Sequence, residues 1–258
     1  MMKRPAPAIL FWITLATVIL LSGTTAQAVG VGVNFQYWYP SFSGDLRGDG
    51  GGTKGTVMDM ENDLGLDDEG AYAIEASGQF GRHHLTFAYT YFDWSGDETL
   101  GRAVVFDGAT YAAGSRVQTD LKFHTLDFEY QYDFFKIDTV LAGLSAGAIA
   151  KLKYVEGDVS LESAANDRKK DFSYPIPMVG LAAHVGLIAN ILEARGKVTG
   201  ITYSDTTVYE ADAGISLTAI PFTDIAVGYR YVNYDVDDDG VLLKTQLSGP
   251  YVSLTVGF

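Results

Sequence analysis

Every second residue is apolar in segment after segment of this chain. Val31, Val33, Phe35, Tyr37 and Tyr39 alternate with Gly32, Asn34, Gln36 and Trp38, and Leu85, Phe87, Tyr89 and Tyr91 alternate with Thr86, Ala88 and Thr90. Leu126, Phe128, Tyr130 and Tyr132 are set against Asp127, Glu129 and Gln131, and Ile225, Val227, Tyr229 and Tyr231 against Gly228 and Arg230. The last segment sets Val252, Leu254, Val256 and Phe258 against Tyr251, Ser253, Thr255 and Gly257. Side chains along a strand point alternately to opposite faces, so each segment has one greasy and one polar face. With 16 Tyr, 14 Phe and 29 Gly against 7 Pro, the composition favours strands over helices. Alternation alone also suits a soluble sandwich, whose polar face meets water.

The first residues narrow the choice. Lys3 and Arg4 precede an uncharged apolar run from Ile9 to Leu21, and Ser22, Gly23 and Thr24 lead to Ala26-Gln27-Ala28. This pattern predicts a secretory signal peptide over 1–28, cleaved after Ala28. The run is shorter than the roughly 18 apolar residues of a membrane helix, so an uncleaved anchor is the lesser reading. Cleavage removes two basic residues and no acid, making the exported chain more acidic than the −14 of the whole. Its 32 acids against 18 bases argue against a nucleic-acid partner, because phosphate binding needs concentrated positive charge. No cysteine is present, which excludes disulfides, thiolate metal sites and thiol nucleophiles.

Three further features favour a membrane barrel over a sandwich. Segments of about ten residues recur, separated by short turns and longer polar loops in alternation. Aromatic clusters fall at segment ends, in Tyr37-Trp38-Tyr39, Tyr91-Phe92-Asp93-Trp94 and Tyr229-Arg230-Tyr231, where interfacial girdles belong. The chain closes on Tyr251-Val252-Ser253-Leu254-Thr255-Val256-Gly257-Phe258. In these respects it resembles the small bacterial outer-membrane β-barrels. That resemblance implies an antiparallel transmembrane β-barrel, a C-terminal Phe258 read by the outer-membrane assembly machinery, and lipid and lipopolysaccharide as surroundings.

The expected strands lie near 30–42, 70–81, 84–95, 116–133, 138–158, 173–190, 191–203, 206–219, 223–236 and 246–258, about ten in all, with eight as the alternative. An even number returns both termini to the periplasm. Short periplasmic turns are then expected at Gly81-Arg82-His83, Phe135-Lys136-Ile137, Asn190-Ile191 and Pro221-Phe222-Thr223. Long external loops are expected at 43–69, 96–115, 159–172 and 237–245, with 204–205 short. No second compositional regime follows Ala28, so one barrel domain over 29–258 is expected. The final strand runs to the last residue, which leaves no place for a periplasmic peptidoglycan-binding module.

If the aromatic face meets lipid, the lumen receives Glu75, Gln79, Asp127, Glu129, Gln131, His184, Glu193, Arg195, Lys197, Glu210, Asp212 and Arg230. Both charge signs are present. A structural network suits them, because a buried charge needs a partner; a narrow cation-favouring pore for small solutes uses the same residues.

Asp235, Asp237 and Asp239 followed by Gly240 have the D-x-D-x-D-G spacing that opens a calcium loop, with Val241 offering a carbonyl. Gln246 stands where the bidentate glutamate belongs, so only weak calcium binding is expected, and a solvated turn is the plainer reading. No other cofactor is indicated. The first loop carries Asp59, Glu61, Asp63, Asp67, Asp68 and Glu69 behind a glycine-rich head, Gly48 to Gly55, expected to be mobile.

Enzyme chemistry finds little footing. Only His124 lies toward the external end of a strand, where Asp93, Asp97 and Asp120 could orient it as in an omptin-type protease, but no omptin motif accompanies them. There is no His-x-Ser pair. The sequence thus favours a non-enzymatic outer-membrane barrel, structural or a narrow channel. Surface binding or adhesion through acidic loops with divalent cations is the second reading, and a rim hydrolase the third.

Overall fold

The computed structural model describes residues 29–139, 143–188, 191–204, 206–238 and 240–257. The expected signal peptide, Asn190, Asp239 and Phe258 lie outside the described residues. Fourteen strands follow one another: β1 (Val29–Trp38), β2 (Ser41–Gly48), β3 (Met58–Asp59), β4 (Ala71–Phe80), β5 (His83–Thr99), β6 (Val104–Phe106), β7 (Ala109–Tyr111), β8 (Arg116–Asp138), β9 (Gly143–Ser163), β10 (Asp167–Ile188), β11 (Leu192–Tyr203), β12 (Thr206–Ile220), β13 (Thr223–Asp238) and β14 (Val241–Gly257). Strands β1, β4, β5 and β8 to β14 pair antiparallel in that order, and β1 pairs with β14. The result is a closed ten-stranded barrel, so its wall has no free sheet edge along the membrane band.

The first strand is interrupted where the sequence suggested continuity. Tyr39 donates its N–H to the Pro250 carbonyl and Pro40 has no N–H to give, so β1 ends at Trp38. The chain resumes as β2, which pairs with the upper part of β14 from Ser41↔Ser248 to Gly48↔Val241. Part of the expected loop 43–69 is therefore wall. The loops expected at 159–172 and 237–245 are also strand, since β9 reaches Ser163 before β10 begins at Asp167, and β13 reaches Asp238 before β14 begins at Val241. At the periplasmic end, the turn expected at Phe135-Lys136-Ile137 is strand as well: Lys136 pairs with Ser145 past a bulge at Asp133/Phe135, and the ladder continues to Asp138↔Gly143.

These strands run on because their apolar parity inverts. In β8, Phe128 and Tyr132 face outward while Leu121 and Phe123, of the opposite parity, are buried inside. In β10, Val179 and Leu181 face outward, whereas Phe172, Tyr174, Ile176 and Met178 point in. In β13, Ile225, Val227 and Tyr229 face out and Val232, Tyr234 and Val236 face in. Below the inversion the apolar face meets lipid. Above it the outer face meets water and the inner face forms an ordinary hydrophobic core, which rewards further ladder pairing.

That core is closed from above. Met58, Met60, Leu64 and Leu66 of the first loop are buried, Met58 pairing with Leu46 of β2, and Asp68 fixes the loop by accepting the Phe42 N–H at 2.7 Å. Gly96 lets this loop approach β5, because a Cβ there would meet the Leu64 carbonyl oxygen at 2.2 Å. The segment expected at 96–115 as an open loop instead contains the β6–β7 hairpin. It lies across the mouth, with Phe106 against Gly48 of β2 and the Tyr111 hydroxyl donating to the Leu161 carbonyl of β9 at 2.7 Å. The glycine run expected to be mobile is a defined turn: Gly50 and Thr53 exchange backbone hydrogen bonds, and Gly51 and Gly52 take φ of 59° and 77°.

One side of the rim is low. Strand β11 pairs with β10 only up to Val179↔Gly200, while β10 continues to Asp167 against β9 alone. Pro175 and Pro177 occupy that stretch, as suits a strand margin where no N–H is required.

Candidate functional site

Beneath the core lies a layer of buried charge. Lys153 Nζ is completely buried and donates to Asp127 Oδ1 and Oδ2 at 2.6 and 2.8 Å, while lying 3.0 Å from Glu210 Oε1. Lys151 Nζ donates to Glu210 Oε2 at 2.5 Å and sits 2.8 Å from Asp127 Oδ2. Arg230 approaches Glu210 Oε1 at 3.7 Å, and its guanidinium lies 5.0 Å from the centre of the Trp38 ring, a cation–π contact. Two lysines on β9, one carboxylate each on β8 and β12, and an arginine on β13 thus meet across the barrel. Strand alternation puts them all on the luminal face, and barrel closure brings them into reach of one another.

A second tier lies on the periplasmic side. Lys197 donates to Glu129 Oε1 and Oε2 at 3.2 and 3.1 Å. Arg195 hydrogen-bonds the Tyr251 hydroxyl and faces Asp212 and Glu75, and that hydroxyl donates to Asp212 Oδ1 at 3.2 Å. Across the two tiers, Lys151, Lys153, Arg195, Lys197 and Arg230 stand against Glu75, Asp127, Glu129, Glu210 and Asp212, so the formal charges cancel. A vestibule of about 740 Å³, lined by residues of both tiers, opens toward the short-turn end. On its wall, His184 Nε2 pairs with Glu193 Oε2 and His84 Nε2 with Asp133 Oδ2, each at 2.9 Å. His83, expected in the turn, and His84 are the first residues of β5.

All twelve luminal residues proposed from the sequence line the inner wall: Asp127, Glu210 and Arg230 in the upper tier, Glu75, Glu129, Arg195, Lys197 and Asp212 in the middle, His184 with Glu193 at the mouth, and Gln79 and Gln131 on the same vestibule. Sequence reasoning missed Lys151 and Lys153. Their signal was present, since they share the parity opposite to the outward-facing Leu152.

The acidic motifs fold differently from the expected loops. Asp235 and Asp237 are in β13, where Asp235 accepts from Lys244 at 3.2 Å and Asp237 from Arg47 at 2.7 Å, and Val241 begins β14. An extended strand spreads carboxylates along its length instead of folding them round one ion. Among the described residues, no group of three or more His, Asp or Glu side chains is placed to hold a metal. In the first loop, Asp59 accepts the backbone N–H groups of Asn62 and Glu61, and the bond from Asn62 leads in holding its carboxyl below the ordinary value.

The rim histidine also has other company. His124 faces the outer wall with Glu156 at 3.7 Å, Asp93 and Asp120 each stand 3.8 Å from Lys122, and Asp97 forms a two-pronged pair with Arg116 at 2.6 Å. Arg116 holds the Asp97 carboxyl below its usual value. The three aspartates expected beside His124 are thus drawn to Lys122 and Arg116.

No protein-family profile and no curated protein matches the chain. Among solved structures, it is similar to the outer membrane protease OmpT from Escherichia coli at 10% identity and a TM-score of 0.48, covering 92% of this chain and 99% of that one. It is also similar to the attachment invasion locus protein Ail of Yersinia pestis in complex with sucrose octasulfate, at 10% identity and TM-score 0.36, over 87% of this chain and 98% of that one. Neisserial surface protein A gives 13% identity and TM-score 0.35, over 91% and 100%. These neighbours differ in what their names describe, and at such identities no function passes from them to this chain. The class rests on the chain's own geometry: a closed antiparallel barrel with a lipid-facing apolar belt, an outer-membrane β-barrel protein.

Proposed function

We propose that this protein is a non-enzymatic, non-conducting outer-membrane barrel whose part in the envelope is structural, with its outward surfaces as the working parts. The observation that carries this reading is the closed outer half of the lumen. From outside inward there are a hairpin lid, an apolar core including Trp94, Phe106 and Phe123, and two tiers of ion pairs whose formal charges cancel between them. A water-filled ion path needs a continuous polar lining. Here the charges of the two tiers are paired with each other, and above them the inner wall is predominantly apolar.

The test is conductance. Protein refolded into planar bilayers, with folding checked by heat-modifiable migration on gels, is expected to insert without discrete current steps. Reproducible cation-selective steps, altered by Arg195→Ala or Arg230→Ala, would overturn the reading and establish a narrow channel.

A further inference from the structure

Four of the five cations in the two tiers, Lys151, Lys153, Lys197 and Arg230, have a carboxylate within 3.7 Å. Arg195 has none at that range among the described residues; its guanidinium hydrogen-bonds the neutral Tyr251 hydroxyl, and Asp212 and Glu75 act on it only from farther off. The surrounding sequence explains this isolation. On β11 the inward neighbours of Arg195 are Glu193 and Lys197, which are engaged by His184 and Glu129. On the β12 side it stands opposite Gly214, whose place is taken by the Tyr251 hydroxyl: a Cβ at Gly214 would come within 2.4 Å of it. Arg195 is nevertheless exposed to the vestibule, with most of its five N–H donors unspent. Glu75 is its counterpart. It lies on β4, five strands away in a ring of ten and so across the lumen. Small inward neighbours, Ala73, Ser77 and Ala88, leave space around it, and it makes no hydrogen bond or close ion pair among the described residues.

The vestibule thus presents an open guanidinium and an open carboxylate on opposite walls of one polar space of about 740 Å³. The closed outer half of the lumen, on which this inference rests, makes that space a cup with its mouth at the short-turn end. We propose that the cup holds one small zwitterion of the amino-acid class, a free amino acid or a dipeptide, with its carboxylate on Arg195 and its ammonium on Glu75. A guanidinium meets a carboxylate through two parallel N–H bonds, which suits Arg195 to that end of the guest. Charge balance selects the zwitterion over a simple ion. The two tiers are already neutral in sum, so a lone anion or cation would leave one unmatched charge inside the barrel, whereas a zwitterion satisfies both open groups and leaves the sum at zero.

Saturation-transfer NMR titration of the refolded full-length mature barrel in detergent tests this, with L-alanine and L-alanyl-L-alanine as probes. Alaninamide, which lacks the carboxylate, and N-acetylalanine, which lacks the ammonium, should each bind wild type about tenfold more weakly than alanine. Arg195→Gln should weaken alanine about tenfold and hold alanine and alaninamide alike, while Glu75→Gln should do the same and hold alanine and N-acetylalanine alike. A merely structural role for either residue would not produce that crossed pattern. Lys244→Ala, on the outer wall, should change nothing. Heat modifiability verifies folding of each variant, and if one fails to fold, the comparison of blocked and unblocked probes on wild type still decides. Binding of neither probe by wild type, or acetate or methylammonium held as tightly as alanine, would overturn the proposal. Conductance steps from a barrel that still binds alanine would instead count against the closed lumen alone.

Discussion

Glu210 is the hub of the buried tier, and Glu210→Gln is the change that examines it most directly. The side chain keeps its shape but loses its charge, leaving Lys151, Lys153 and Arg230 around Asp127 alone. Lys151 and Lys153 are almost wholly buried, so water cannot screen the excess. Breaking a buried ion pair by removing one partner costs about 3 to 5 kcal/mol. Glu210 touches three cations, so the upper part of that range is expected. Urea unfolding of barrels refolded in lipid vesicles reads the loss, and Trp38, beside Arg230, supplies the fluorescence. A second change, Lys151→Met on the Glu210→Gln background, removes the cation most closely paired to Glu210 and should restore much of the stability. A loss under about 1 kcal/mol for the single variant, or a double variant whose loss equals the two single losses added, would refute the account of a coupled, desolvated network.

Three further outcomes are expected. Tyr251 lies across Gly228 of β13 and Gly214 of β12, and a Cβ at Gly228 would come within 2.4 Å of its ring, so Gly228→Ala should cost about 1–3 kcal/mol in the same assay and be relieved by Tyr251→Ala. Leu64→Ala, at a fully buried position in the first loop, should cost about 2–5 kcal/mol through its cavity; a loss within experimental error would show that the loop does not complete the core. Burial pushes the Tyr111 hydroxyl up to about 12, so the folded state disfavours its phenolate. The hairpin lid should therefore be indifferent to pH below the ordinary tyrosine value of 10 and weaken as pH rises from there toward 12. Hydrogen exchange across β6 and β7 follows that release, and Tyr111→Phe should abolish its pH dependence.

The sequence determined the barrel by itself. Period-two alternation is a property of the backbone, so Leu85 to Tyr91 or Val252 to Val256 could be assigned to a lipid-facing surface without any knowledge of their neighbours. The same parity placed Asp127, Glu129 and Arg230 on the inner wall. It failed where apolar residues changed face. Phe123, Phe172 and Tyr234 break the alternation read from the lower half of their strands, and a break in pattern looks like the start of a loop. They are strand residues only because ten strands close into a ring and bring them together in a core, and that closure depends on registers spread over the whole chain. Closure also made partners of Lys153 and Glu210 and of Tyr111 and Leu161, residues far apart in sequence. Local alternation fixes which way a side chain points; only the closed barrel decides what it meets there, because its contacts are set by the sum of all the strand pairings and by no segment alone.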